Sequence, residues 1–208
     1  MKKFWHTFWA KQFRQPTGLL GRYVANKMQK RNAVTYEWMF SQMNFDKAKN
    51  VLEIGYGTGK LLNAVASQYP NLHLYGVDFS EVMYRKAKKY NDNFIKTKRM
   101  QLDYGDFLTY SPTVKFDVIY FTNVIYFWAD IGDYFDKLNS LLNPDGQLYI
   151  YMADAECLNN LPMGRTEIFN KYSLDYVKKM LKDHQFNNIN HQTKEINDRK
   201  TYCISALK

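Results

Sequence analysis

Cysteine is nearly absent: the 208 residues hold only Cys157 and Cys203. The two stand far apart and in no metal-ligand spacing. That argues against a disulfide scaffold or a zinc site and for a reducing compartment. No stretch of about 18 apolar residues occurs, so no helix is expected to cross a bilayer. The N-terminus does not read as a signal peptide, because Lys11 and Arg14 interrupt it before any apolar core of sufficient length. A cytoplasmic protein is the default expectation. The four histidines (His6, His73, His184 and His191) are scattered with no acid or cysteine at telling spacing, so surface or packing roles are expected and no metal site. Internal repeats and low-complexity tracts are missing too. Acidic residues are absent before Glu37, while Lys2, Lys3, Lys11, Arg14, Arg22, Lys27, Lys30 and Arg31 place eight positive charges there. Most of the formal net charge of +9 therefore sits at the N-terminus. Such a segment can approach nucleic acid, an anionic membrane surface or an acidic substrate, or can be a solvated helix face.

Aromatic residues, by contrast, are abundant at 17%. In residues 2–14, Phe4, Trp5, Phe8, Trp9 and Phe13 recur at helical spacing with Lys3, Lys11 and Arg14 opposite. The segment reads as an amphipathic helix that either docks on the domain or lies on a membrane surface, docking being favoured. A second helix is expected from near Leu19 to about Met43, with interruption allowed. Beyond it, strands and helices alternate. Strands are expected at 51–54, 72–78, 99–102, 116–121 and 147–152, with Val118, Ile119 and Tyr120 forming an apolar run suited to a buried parallel strand. Helices are expected after Lys60, after an N-cap at Ser80, over 131–142 until Asn143-Pro144-Asp145-Gly146, and from Ser173 to about Gln185. Residues 153–172 read as irregular. Two last strands, 188–195 and 201–207, are separated by too few residues for a parallel crossover and should pair as an antiparallel edge hairpin. The fold class is α/β: a doubly wound, Rossmann-like seven-stranded sheet, mostly parallel, plus N-terminal helices. Residues 1–44 are expected to form a helical, substrate-covering extension and 45–208 the ligand-binding domain.

The chain turns on residues 51–59, Val-Leu-Glu-Ile-Gly-Tyr-Gly-Thr-Gly. A short strand runs into alternating glycines and then into a helix carrying Leu61, Leu62, Val65 and Ala66. This is a nucleotide-type site at a helix N-terminus, where glycine backbone can touch a ligand. A dinucleotide fingerprint needs glycine at position 60, which is Lys60, and a P-loop needs Ser or Thr at 61, which is Leu61. The turn therefore suits a ligand without phosphates.

That nonapeptide resembles motif I of the class I S-adenosylmethionine-dependent methyltransferases. Downstream marks fit the same family. Asp78, in Gly-Val-Asp-Phe-Ser, resembles its ribose-binding acid, and Asp106, in Gly-Asp-Phe, the acid that accepts from the adenine amine. Phe116-Asp117-Val118-Ile119 and Leu142-Asn143-Pro144-Asp145-Gly146 resemble its fourth strand and the turn before its fifth. The resemblance covers roughly 45–208 and implies S-adenosylmethionine as cofactor. It implies cofactor contacts at Glu53, Gly55, Tyr56, Gly57, Gly59, Asp78, Phe79, Met83, Asp106, Phe107 and Asn123. Asp103 is read as a solvated strand-end acid and Asp117 as structural.

Methyl transfer from a sulfonium needs alignment above all. A hydroxyl or carbon acceptor would also need a base. Tyr126, Tyr23, Asp154 and Glu156 are weighed for that role and none is assigned, with Tyr23 and Tyr126 kept as acceptor contacts. The aromatic and Met-rich segments 1–44, 122–130 and 153–172 favour a small, partly apolar acceptor in a covered pocket, lipophilic or quinone-like and reached from a membrane surface in one version. Nucleic acid methylation is the second reading, motivated by the basic charge, although Thr122-Asn123-Val124-Ile125-Tyr126 lacks the motif of base amino methyltransferases. A non-catalytic cofactor-binding module is the third.

Overall fold

A computed structural model describes residues 2–208; the side chains of Lys2, Lys3 and Leu19, and the expectation that Lys3 lies on the polar side of the first helix, fall outside the described residues. In chain order the elements are α1 (Lys2–Arg14), α2 (Gly18–Arg31), α3 (Ala33–Gln42), β1 (Asn50–Ile54), α4 (Lys60–Gln68), β2 (His73–Asp78), α5 (Glu81–Tyr90), α6 (Asp92–Lys96) and β3 (Met100–Tyr104). There follow β4 (Phe116–Thr122), α7 (Ile131–Leu141), β5 (Leu142–Ala153), α8 (Ala155–Asn159), α9 (Leu174–Asp183), β6 (Asn187–Glu195) and β7 (Lys200–Leu207). The seven strands form one sheet in the order β3-β2-β1-β4-β5-β7-β6. β1 to β5 run parallel, and β7 is antiparallel to both β5 and β6. The sheet, its class and its edge hairpin are as the sequence predicts.

This order makes β1 a switch point, since it pairs with β2 on one side and β4 on the other. Crossovers leave in opposite directions there, and a crevice opens beyond the carboxyl ends of the strands. Alternation along β4 explains the burial of both faces. Val118 and Tyr120 join a core with Trp38, Met39, Leu61, Leu62 and Val65 of α3 and α4. Ile119 and Phe121 join the opposite core with Phe135, Leu138, Val177 and Leu181 of α7 and α9.

Three local details refine or depart from expectation. The second helix divides at Asn32, which takes φ −86° and ψ 0° and is at once the end of α2 and the start of α3. No proline or glycine marks the break; the residue simply sits in the sparsely allowed bridge region. β5 begins at Leu142, ahead of the expected turn, because Leu142 pairs with Phe116 before the register shifts. Asp145, at φ 61°, carries the irregularity. The segment after β5 holds one short helix, α8, whose N-cap Asp154 accepts from the Glu156 N–H at 2.8 Å.

Close packing around Gly76 in β2 gives a direct test of the core. A Cβ there would lie 2.5 Å from Tyr56 Cδ1 and 3.0 Å from both Leu102 Cδ2 and Leu62 Cδ1, all in buried side chains. Gly76→Ala is expected to cost about 1–3 kcal/mol by overpacking. Gly105→Ala, where nothing lies within 4 Å of the added carbon, should stay within about 0.5 kcal/mol of wild type. Urea melts of the pair decide it, and equal stabilities would show that the core around Gly76 yields freely.

Candidate active site

The glycine turn leads from β1 into α4 with all three glycines at positive φ. Gly59 closes it as the residue preceding α4, at φ +72°, where a Cβ would strike Asn91 Nδ2 at 2.5 Å. That amide is engaged, donating to Gly59 O at 3.1 Å and to Ala87 O at 3.0 Å, so it ties the turn to α5. Gly57, at φ +53°, is the opposite case: nothing lies within 4 Å of where its Cβ would be, which leaves its backbone open on one side.

Asp78, at the end of β2, holds the turn from the neighbouring strand. Its Oδ2 accepts from Gly57 N–H and its Oδ1 from Ser80 N–H, each at 2.8 Å. Burial pushes the carboxyl up to about 6, although both hydrogen bonds pull the other way. Glu53 lies deeper and is fully buried, and its Oε2 accepts from Tyr120 OH at 3.1 Å. Desolvation raises it to about 8, opposed by the Tyr120 bond and reinforced by the negative charge of Asp78. The N-terminal helices are clamped over this place. Ser80 Oγ donates to Pro16 O at 2.9 Å, and Gln15 Nε2 to Phe79 O at 2.8 Å. The C-terminal end of α1 is thereby docked, while Phe4 and Trp5 at its start stay 72% and 56% exposed.

A cavity occupies the crevice. Gly55, Gly57, Asp78, Phe79, Met83, Asp106, Phe107 and Asn123 line it, which brings together eight of the eleven expected cofactor residues. The other three do not reach its wall. Glu53 is buried behind the turn, and Gly59 is packed against Asn91. The Tyr56 side chain points into the core, where its hydroxyl donates to Asp103 O at 3.1 Å. Asp106 is exposed, and its Oδ1 accepts from Leu108 N–H at 2.8 Å. Asn123 holds φ 60°, rare for a residue with a side chain, and its Oδ1 accepts from Tyr126 OH at 3.1 Å.

Sequence reasoning missed several residues of this wall. Thr58 and Thr122 line the cavity, and the Oγ1 of each is buried without a hydrogen bond. Two unmet hydroxyls on residues of this wall fit a ligand rich in polar groups. Thr58 stands inside the glycine motif and Thr122 ends β4, so position alone offered a signal. Tyr36 of α3 and Tyr134 of α7 also line the cavity. Tyr134 stacks on Trp128 at 4.2 Å between centroids, and Phe107 stacks behind them. Nothing in the local sequence announces these two tyrosines, because packing brings them in from other elements.

A second cavity of about 520 Å³ adjoins the first. Phe13, Met28, Asn32, Asn123 and Phe127 line both. Its remaining wall includes Leu158, Leu161, Met163 and Phe169, together with Tyr126 and the cations Lys27, Lys30, Arg31 and Arg199. Tyr126, the expected acceptor contact, lines this cavity, but its hydroxyl is spent between Asn123 and the Ala153 N–H, and burial raises its pKa. Tyr23 lines neither cavity; it is 51% exposed on α2, with Lys27 over its ring. Asp154 and Glu156 line neither as well. Desolvation pushes Asp154 up, but hydrogen bonds from Tyr202 and from backbone outweigh it and hold the carboxyl below its ordinary value. Asp117 is structural as expected, accepting from Lys49 N–H, Asn50 N–H and Asn143 Nδ2 at 2.7–2.9 Å. Asp103, the expected strand-end acid, is half-buried and accepts from Gln101 Nε2 at 3.0 Å. His184 does gain an acid, Asp136 at 2.6 Å and 48 residues away in sequence, but it lines neither cavity.

Residues 11–191 match the family described as Methyltransferase domain. The uncharacterized methyltransferase YdaC of Bacillus subtilis is 24% identical over 178 residues, covering 85% of this chain and 93% of that protein. Malonyl-[acyl-carrier protein] O-methyltransferase 2 of Ilyobacter polytropus is 28% identical over 142 residues, or 64% of this chain. The match takes in 53% of that relative, so the chain spans about half its length. A chain in the complex between the Haloferax volcanii Trm112 methyltransferase activator and a methyltransferase shares the fold. It has TM-score 0.76 and 15% identity over 90% of this chain and 94% of that one. Apo SibL, an S-adenosylmethionine-dependent methyltransferase, gives 0.74 and 15% over 87% and 56%. The chain belongs to the methyltransferase domain family. It is a class I S-adenosylmethionine-dependent methyltransferase. No described helix is long and apolar enough to cross a membrane.

Proposed function

We propose that the first cavity holds S-adenosylmethionine and the second a small, partly apolar acceptor, with residues 1–44 as the cover over both. The supporting observation is the wall the two cavities share at Asn123 and Phe127. When bound, S-adenosylmethionine supplies an activated methyl group on a positively charged sulfur. Each Asp78 oxygen has a lone pair left after its backbone bond, so the carboxylate can still accept from two ribose hydroxyls. Asp106 keeps Oδ2 for the adenine amine, with Phe79, Met83 and Phe107 against the apolar faces. Thr58 and Thr122 offer hydroxyls to the remaining polar groups. Asn123, fixed in its strained conformation by Tyr126, orients what meets across the wall.

The described linings of the two cavities also limit the chemistry. No histidine lies in either, and no carboxylate in the second. The phenols there, Tyr126 and Tyr151, have pKa values raised by burial and hold protons more tightly than free tyrosine. Among the described residues of the second cavity none is suited to act as a general base, which favours an acceptor whose attacking atom is already nucleophilic at neutral pH. Catalysis then rests on alignment and on exclusion of water. One relative is in keeping with a small acceptor, the trans-aconitate 2-methyltransferase of Methylobacterium radiotolerans, 23% identical over 116 residues. The cations that motivated a nucleic acid substrate lie in part around the second cavity, at Lys27, Lys30 and Arg31. Incubation with methyl-labelled cofactor and fractionated cell extract should place label in small organic molecules. Label confined to RNA or DNA, or no transfer from any fraction, would remove this reading.

A further inference from the structure

The second cavity contains an imbalance of charge that alignment chemistry does not require. Arg199 belongs to the turn between β6 and β7, closed by Ile196 N–H to Arg199 O at 2.9 Å and Arg199 N–H to Ile196 O at 3.2 Å. Asn197 and Asp198 in its middle take φ 52° and 57°, the geometry of a tight type I′ hairpin turn, which holds the arginine's backbone firmly. Asn197 Nδ2 donates to Arg31 O at 3.4 Å, fastening this turn to the last residue of α2. Two guanidiniums from opposite ends of the chain are thus brought to one cavity wall. Neither takes part in an ion pair among the described residues. Burial lowers the pKa of Arg199, and the positive charge of Arg31 lowers it further. Like charges are held together, Arg199 half-buried and Arg31 exposed, with no carboxylate among the described residues that line the cavity.

Resting on the two-cavity reading above, we propose that Arg199 and Arg31 bind an anionic group of the acceptor, a carboxylate or a phosphate, while Leu161, Met163 and Phe169 take its apolar body. An anion between the guanidiniums turns their repulsion into two charge-assisted interactions, and the planar forks suit oxyanions of either geometry. Neighbouring Lys27 and Lys30 raise the local potential for entry. The acceptor class is therefore an anionic amphiphile rather than a neutral or cationic one.

Calorimetric titration of octanoate, octyl phosphate, octan-1-ol and octylamine into the S-adenosylhomocysteine-saturated protein tests this. At least one anion should bind about tenfold or more tighter than octan-1-ol, with octylamine weakest. Comparing octanoate with octyl phosphate tells carboxylate from phosphate. Arg199→Gln should abolish the preference, Arg199→Lys should keep part of it, and Arg31→Gln should weaken it without touching the β6–β7 turn. Octan-1-ol binding should not change in any variant, which separates loss of charge recognition from loss of fold. Neutral and anionic probes binding equally, no probe binding at all, or an anion preference that survives Arg199→Gln would each overturn the proposal. Titration of S-adenosylhomocysteine alone is read separately: its failure removes the cofactor assignment while leaving the anion site to stand or fall on the probes.

Discussion

Asp78→Asn is expected to weaken S-adenosylhomocysteine binding on the order of a hundredfold, the largest loss from any single change in the cleft. Both carboxylate oxygens are already at work, one on Gly57 N–H and one on Ser80 N–H. An asparagine amide can satisfy only one of those donors, and its NH₂ then faces the other at hydrogen-bond distance in a buried place. The turn must shift or leave an N–H unpaired, at about 1–3 kcal/mol. The shift would fall on Gly57, whose open flank is the part of the turn available to a ligand. Ribose hydroxyls would lose their acceptor in the same step. Calorimetry should show the loss in affinity together with a modest drop in unfolding free energy. Affinity within about threefold of wild type would detach Asp78 from the cofactor altogether.

The same residue illustrates what could be seen in advance. The place of Asp78 in the cleft was legible because it is set locally: an acid at the end of a strand at fixed distance from a glycine turn. Gly57 was legible for the same reason, and so was the fold, since apolar runs of strand length alternating with helical spacing leave few topologies open. Residues delivered by tertiary packing were not. Tyr36 and Tyr134 reach the cleft from α3 and α7, and Arg199 reaches the second cavity from a hairpin turn near the C-terminus. Tyr23 shows the converse error. Its place in an aromatic-rich segment pointed to the acceptor, but helix phase turns it toward solvent. Tyr126, left unassigned as a base, lines the second cavity, and its hydrogen bonds to Asn123 and Ala153 make it a strut there. The break at Asn32 has no sequence mark, yet it sets Asn32 and Tyr36 against the cleft.

Glu53 carries the second large expectation, and it concerns pH. Its carboxyl stands near 4.5 in an unfolded chain and at about 8 when buried behind the turn. The folded protein therefore holds this proton more tightly than the unfolded one does. Glu53 adds stability that is fully present below pH 4.5 and is lost as pH rises toward 8, by an amount on the order of 4 kcal/mol. Glu53→Gln cannot ionise, and its amide oxygen can still accept from Tyr120 OH. Unfolding by urea from pH 5 to 9, without ligand, should show the wild type losing stability relative to this variant, with the gap widening through neutrality. Parallel curves would mean that Glu53 ionises in the folded protein without penalty. Binding should reverse the preference. The charge of Asp78 is felt at Glu53, and that of Glu53 at Tyr36, and both Asp78 and Tyr36 stand in the wall of the first cavity. A ligand ammonium in that field favours the ionised carboxyls, so wild-type affinity for S-adenosylhomocysteine should rise from about pH 6 to 8 with release of protons. The variant should bind more weakly and lose most of that pH dependence. Both curves behaving so would mark Glu53 as a residue kept at the expense of stability in the free protein for the sake of its charge in the bound one.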